Sequence, residues 1–349
     1  MLALGPRPAA AATEGTQMTA NIRGAALALV AFAIYATHDV VVKYLGGTYS
    51  PVQIVFFSVL FGFPLVTLVL MRDATDGNLV PRHPWWTALR TGAAVITGLA
   101  AFYAFSVLPL AQVYAILFAS PLLITILAVP ILGEKVGLRR GLAVAVGMIG
   151  VIIVLRPGAV DPELGHIAAL TAALTGALSS IVVRKIGSEE RGVVLILYPM
   201  MANFLFMAAL LPFVYVPMPL VDIGAVGVMA VLALVGTFLV IFAYRAGEAV
   251  IIAPMQYSQL LWAIAFGYFL FDETIDLATA VGSAVIIASG LYIVLREGRS
   301  AASDNRPVLQ TRSRPEFGTL PRVSLLSGDD TDPGSPEDGT RPGPGDPPR

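Results

Sequence analysis

Ten long apolar stretches, separated by short breaks of Gly, Pro or charge, constrain this chain more than any other feature. They run over residues 24–44, 51–71, 87–108, 111–132, 139–156, 164–184, 192–214, 223–244, 249–271 and 277–296. A helix needs about 20 mainly apolar residues, within a range of about 17–25, to cross some 30 Å of hydrocarbon. The breaks read LGGTYSP, RDATDGNLVPRHPWW, LGEKVGLRR and LRPGAVDPELG, which are turn compositions. A membrane β-barrel would instead show short segments of alternating polarity. These runs are continuous and rich in Ala and Leu, so the predicted fold is an all-α membrane protein of ten transmembrane helices.

Composition agrees. Of 349 residues, 56% are hydrophobic and 13% charged, against about 25% charged in an average soluble domain. A net charge of −1 argues against a nucleic-acid partner. The absence of Cys excludes disulfides, thiolate metal sites and Cys nucleophiles. His38, His83 and His166 are scattered, and no HExxH, Walker A or GxSxG pattern occurs. The chain is therefore expected to be no enzyme, to hold no cofactor or metal, and to contain no ATP-driven motor. Residues 1–22 are Ala-rich and polar, read as a flexible N-terminus without signal-peptide features. Residues 298–349 are rich in Pro, Gly, Asp and Arg, read as a disordered cytoplasmic tail.

Lys and Arg set the expected orientation. With a cytoplasmic N-terminus, fourteen of them before the tail fall on the cytoplasmic side and two, Lys43 and Arg156, on the other. Both termini are then cytoplasmic.

The two halves echo each other. AQVYAILFASPLLITILAVPILGEKVGLRRGLAVAVGMIGVIIVLRP begins at Ala111, and VIIAPMQYSQLLWAIAFGYFLFDETIDLATAVGSAVIIASGLYIVLRE begins at Val250. Glu134 matches Glu273, Gly150 matches Gly290, and Val41-Val42-Lys43 matches Val182-Val183-Arg184. Units of five spans each, at 23–157 and 158–297, must lie upside down relative to one another. Inverted repeats are a mark of secondary transporters, with the solute site near the midplane between halves.

The span-four-to-five stretch, with Pro121 in mid-span, then LGEK, then a Gly-rich span ending VIIVLRP, resembles the EamA branch of the drug/metabolite transporter superfamily. The second copy carries Asp272-Glu273-Thr274 where the family often has Gly-Glu. THDVVVKYLGGTYSPVQIVFF is similar to carriers of S-adenosylmethionine and related metabolites, which commonly place an Arg where this chain has Ser58. The resemblance implies a bacterial inner-membrane carrier that moves a small polar solute (amino acid, nucleoside-like or S-adenosylmethionine-like) by alternating access, by proton coupling or exchange. Its partners are that solute and the lipid bilayer, and the sequence leaves room for a homodimer. A passive channel, or a membrane-embedded enzyme or sensor, is the alternative.

Charges inside spans are costly and so become site candidates. Asp39 and Lys43 share a helix face at i, i+4 and are expected to pair, with His38 beside them as a titratable neighbour. Polar and aromatic groups form the second set: Tyr103, Gln112, Tyr114 and Ser120 in the first half, and Asn203, Gln256, Tyr257, Ser258, Gln259 and Trp262 in the second. They can line a solute path or merely bond helix to helix. Pro121 and Pro254 are expected to kink their spans and aid gating. Glu134 and Glu273 are expected to cap or pair at span ends.

Overall fold

The computed structural model describes residues 8–70, 79–134, 136–156, 164–187 and 189–299. In chain order the helices are α1 (Pro8–Gly46), α2 (Pro51–Leu70), α3 (Pro84–Val107), α4 (Leu110–Leu117), α5 (Ser120–Leu132), α6 (Leu138–Leu155), α7 (Leu164–Ile186), α8 (Gly192–Val214) and α9 (Leu220–Ala246). They continue with α10 (Ala249–Ile252), a 3₁₀ turn (Ala253–Tyr257), α11 (Ser258–Phe271) and α12 (Leu277–Arg299). Among the described residues nine stretches are long and apolar enough to cross a bilayer, and the 20-residue α2 is a tenth apolar helix. Trp85, Phe213, Leu220 and Phe269 are each more than three-quarters exposed on the outside of the bundle. So much large apolar surface is stable only against lipid. The protein is an integral membrane protein.

Helix extends beyond the apolar runs at both ends. Residues 8–22 are the first turns of α1, because the Ala-rich run PAAAATEG favours helix. At the other end α12 continues to Arg299, and the tail from residue 300 onward lies outside the described residues.

The fourth and ninth spans are broken rather than kinked. α4 stops at Leu117 and α5 starts at Ser120. Pro121 sits in the first turn of α5, where its missing N–H does least harm. It leaves Leu117 O without a helical donor, and Ser120 Oγ donates to that oxygen at 2.7 Å. In the ninth span Pro254 opens the 3₁₀ turn that separates α10 from α11.

Inverted repetition is visible in the contacts. α1 packs along α9, and α3 packs along α7 in the equivalent way. Tyr35 bonds Thr237 at 2.9 Å across the first pair, and Thr175 bonds Thr97 at 2.7 Å across the second. Each residue lies 140 positions from its counterpart. α6 and α12 pack on each other through small residues. A Cβ on Gly150 would lie 2.8 Å from Ile286 Cγ1 and 2.9 Å from Gly282 O.

The matched glutamates stand on matched helix ends. α5 ends at Gly133 (φ 72°) and α11 at Asp272 (φ 52°), both left-handed. The next N–H then reaches back, from Glu134 to Ala128 O at 3.3 Å and from Glu273 to Gly267 O at 2.9 Å. Orphan carbonyls are satisfied in the same way at both helix ends. A left-handed conformation suits Gly better than Asp. Asp272→Gly is therefore expected to stabilise the protein by roughly 0.5–1 kcal/mol, raising Tm by about 2 °C. A thermal melt in detergent checks this; an unchanged or lowered Tm would mean that the aspartate side chain compensates for its backbone.

Candidate functional site

The two breaks meet inside the bundle. Phe118 lies at the first and Tyr257 at the second, 139 positions apart, and their rings touch edge to face at 5.0 Å and 78°. Gly290 makes room for the phenol, since a Cβ there would lie 2.1 Å from Tyr257 Oη. Gly150 and Gly290, matched in sequence, thus do different work: one lets α12 approach, the other seats Tyr257.

Beside this contact lies a buried polar chain. Asp39, 1% exposed, accepts the Tyr114 hydroxyl. His38 Nδ1 lies 2.7 Å from Asp39 Oδ1. Gln259 Nε2 reaches Tyr114 Oη at 3.4 Å. Aromatic rings wall it: Phe102 against His38 at 6.2 Å, and Phe105 against Tyr114 at 5.5 Å. Among the described residues, His38 Nε2 and Ser258 Oγ are buried without a hydrogen-bond partner. Buried polar atoms normally find partners, so these two offer unspent donor and acceptor capacity to a guest. The position equivalent to Asp39 in the second half is a serine, Ser179 by the Tyr35–Thr175 offset or Ser180 by the Lys43–Arg184 offset. The acid therefore belongs to one half, and the cluster is one site rather than two.

Chemically the site offers a carboxylate that can hold a cation or a proton. An imidazole sits against it, and aromatic faces suit planar or cationic groups.

Of the sequence candidates, His38, Asp39, Tyr114, Tyr257 and Gln259 come together here, with Ser120 and Pro121 shaping the break and Ser258 beginning α11. The expected Asp39–Lys43 pair does not form. Lys43 Nζ lies 2.7 Å from Glu273 Oε1, donates to Leu108 O at 2.7 Å, and stands over the Phe271 ring. Asp39 is already engaged by His38 and Tyr114, while one turn further along Lys43 meets a carboxylate of the other half. Gln112 points to Asp276 at 3.4 Å. That aspartate accepts the Thr279 N–H at the start of α12 and pairs with Arg156. Asn203 is fully buried in α8 and donates to Pro199 O at 3.1 Å. Gln256 is half-buried in the 3₁₀ turn. Trp262 is 39% exposed and stacks on Phe266, on the same face of α11 as the exposed Leu261 and Phe269. Tyr103 lines a separate apolar cavity of about 1250 Å³ between α2, α3, α7 and α8.

Sequence reading missed the aromatic walls and one buried cation. Phe118 could have been found, because it aligns with Tyr257 in the repeat. Arg90 reads as an interfacial charge but is 1% exposed within α3 and donates to Leu195 O. That carbonyl is the one Pro199, four residues on, leaves without a helical donor. The pairing spans two helices and leaves no local signal.

Known proteins bear on this geometry. The sequence pattern of the EamA-like transporter family matches the chain twice, over residues 22–156 and 163–296. An S-adenosylmethionine uptake transporter of Rickettsia prowazekii (strain Madrid E) is 26% identical over 281 residues, which is 79% of this chain and 93% of that protein. A riboflavin transporter of Vibrio cholerae serotype O1 is 29% identical, covering 70% and 88% of the two chains. The pseudopaline exporter CntI of Pseudomonas aeruginosa is 24% identical over 76% and 94%. A solved crystal structure superimposes with a TM-score of 0.53 at 16% identity, over 80% of this chain and 97% of its own, a likeness of fold.

Proposed function

The chain belongs to the EamA-like transporter family, and from that premise we propose that it carries a small polar metabolite with a planar ring or cationic group by alternating access. It is a transporter and not an enzyme. The observation that carries the finer reading is the buried Asp39 carboxylate, set with His38 and Tyr114 among aromatic rings where two discontinuous spans meet. Discontinuous spans near the midplane are where carriers build solute sites. Two relatives are named for S-adenosylmethionine and riboflavin, solutes that both carry planar rings. The Lys/Arg distribution supports both termini in the cytoplasm and the Lys43 end of the bundle outside, and the bacterial relatives support an inner-membrane location. Coupling is to a proton at Asp39 or to solute exchange.

Purified protein in proteoliposomes provides the test. Labelled S-adenosylmethionine, riboflavin, nucleosides and amino acids are offered in turn. The expected result is saturable uptake of one class, with counterflow when the same unlabelled solute is trapped inside. Saturation without counterflow would speak against a carrier cycle, and uptake linear in concentration would point to a channel.

A further inference from the structure

The polar cluster leaves two other buried ion pairs unused, one at each end of the bundle. Near the ends of α1 and α11, Lys43 pairs with Glu273 at 2.7 Å. Near the ends of α7 and α5, Arg184 pairs with Glu134. All four side chains are less than one-fifth exposed. The pairs are equivalents under the inverted repeat: Lys43 and Arg184 are 141 positions apart, Glu134 and Glu273 are 139 apart. Each ties the first span of one half to the end of the fourth span of the other.

The two equivalents are in different states. On the Lys43 face the second glutamate oxygen, Glu273 Oε2, accepts the Leu110 N–H at 2.9 Å, and Lys43 also holds Leu108 O. The α4 segment is thereby drawn onto α11, and the two pack together. On the Arg184 face the corresponding oxygen, Glu134 Oε2, is buried with no hydrogen-bond partner among the described residues. The residue equivalent to Leu110 is Ala249, 139 positions on, in the first turn of the ninth span. That turn is held elsewhere: the Glu248 N–H donates to Asn21 Oδ1 of α1 at 2.9 Å. Here α10 packs on α1 and α12, with no packing along α5 comparable to that of α4 along α11. One face is fastened, and at its mirror image the bond from the glutamate's second oxygen is not made among the described residues.

We propose that Lys43–Glu273 and Arg184–Glu134 are alternating latches, and that the structure shows the first fully fastened and the second waiting for the start of the ninth span. The proposal rests on the alternating-access reading. A buried carboxylate oxygen without a donor is costly, so the open face carries a standing drive to close. Closure there repeats, with the halves exchanged, the arrangement already present on the Lys43 face. A latch biases a two-state equilibrium only through bonds made in one state and not in the other, and the Leu110 N–H to Glu273 bond is such a bond.

The native chain has no Cys, so paired spin labels can be placed without background. One pair, at Val107 and Leu277, reports on the Lys43 face; the other, at Leu138 and Glu248, reports on the Arg184 face. Distances are measured by double electron–electron resonance in full-length protein in lipid nanodiscs. Glu273→Gln and Lys43→Met attack the fastened latch from its two sides. Each is expected to raise the fraction with a long Val107–Leu277 distance by on the order of tenfold. The Leu138–Glu248 distance should shorten in the same fraction. Glu134→Gln should do the opposite, removing any short Leu138–Glu248 population while leaving Val107–Leu277 short. If neither Glu273→Gln nor Lys43→Met moves either distance, the latch is overturned. If the Lys43 face opens with no answering closure at the other, the latch stands as a contact but the alternating-access reading beneath it falls.

Discussion

Asp39→Asn is expected to cut transport by roughly ten- to a hundredfold and to flatten its pH dependence, with the folded protein recovered in normal yield. The size follows from losing charge-assisted bonds in a buried site, at about 1.5–3 kcal/mol. The side chain is 1% exposed and is contacted by His38 and the Tyr114 hydroxyl. Asparagine keeps the shape and can still accept from Tyr114, so packing survives. What is lost is the negative charge that would hold a cationic solute or a proton. Initial rates in proteoliposomes, measured over a series of external pH values, read both effects. A variant with the parental rate and the parental pH profile would remove Asp39 from the solute and proton path alike.

The second large effect is on assembly. Gly282→Leu is expected to destabilise the protein by more than the 1–3 kcal/mol of ordinary overpacking. A Cβ at Gly282 would stand 2.5 Å from Val154 Cγ2 and 2.7 Å from Gly150 O. The second of these is backbone and cannot swing aside, so α6 and α12 must part. Gly141→Leu is the control, because a Cβ at Gly141 meets nothing within 4 Å. Monodispersity after detergent extraction and a thermal melt distinguish them: the first variant should aggregate or melt far lower, the second should match the parent. Equal behaviour would mean that the α6–α12 contact is dispensable.

Both predictions draw on features that were partly legible in the sequence. Asp39 stood out because a carboxylate in an apolar run is expensive wherever that run is placed, and Gly150 with Gly290 stood out as a matched pair. Their partners did not. Lys43 was read against Asp39, its neighbour on the helix, because sequence spacing shows only contacts within one element. The glutamate it meets lies 230 positions away. Arg90 and the carbonyl left free by Pro199 met across two helices in the same way. Trp262, chosen for its chemistry, stands on the exposed face of α11, since aromatic character does not say which side of a helix faces inward.

What the amino-acid order determined by itself is the set of spans, their helical form and their inverted pairing. Those follow from the hydrocarbon thickness, from the need to satisfy every backbone group in oil, and from an odd number of crossings per unit. What only the tertiary structure decided is which buried charges meet, where the two breaks touch, and which of two equivalent faces is fastened. Those depend on how helices turn about their axes and cross one another, and in a bundle where nearly every residue is apolar the hydropathy pattern fixes that rotation only weakly.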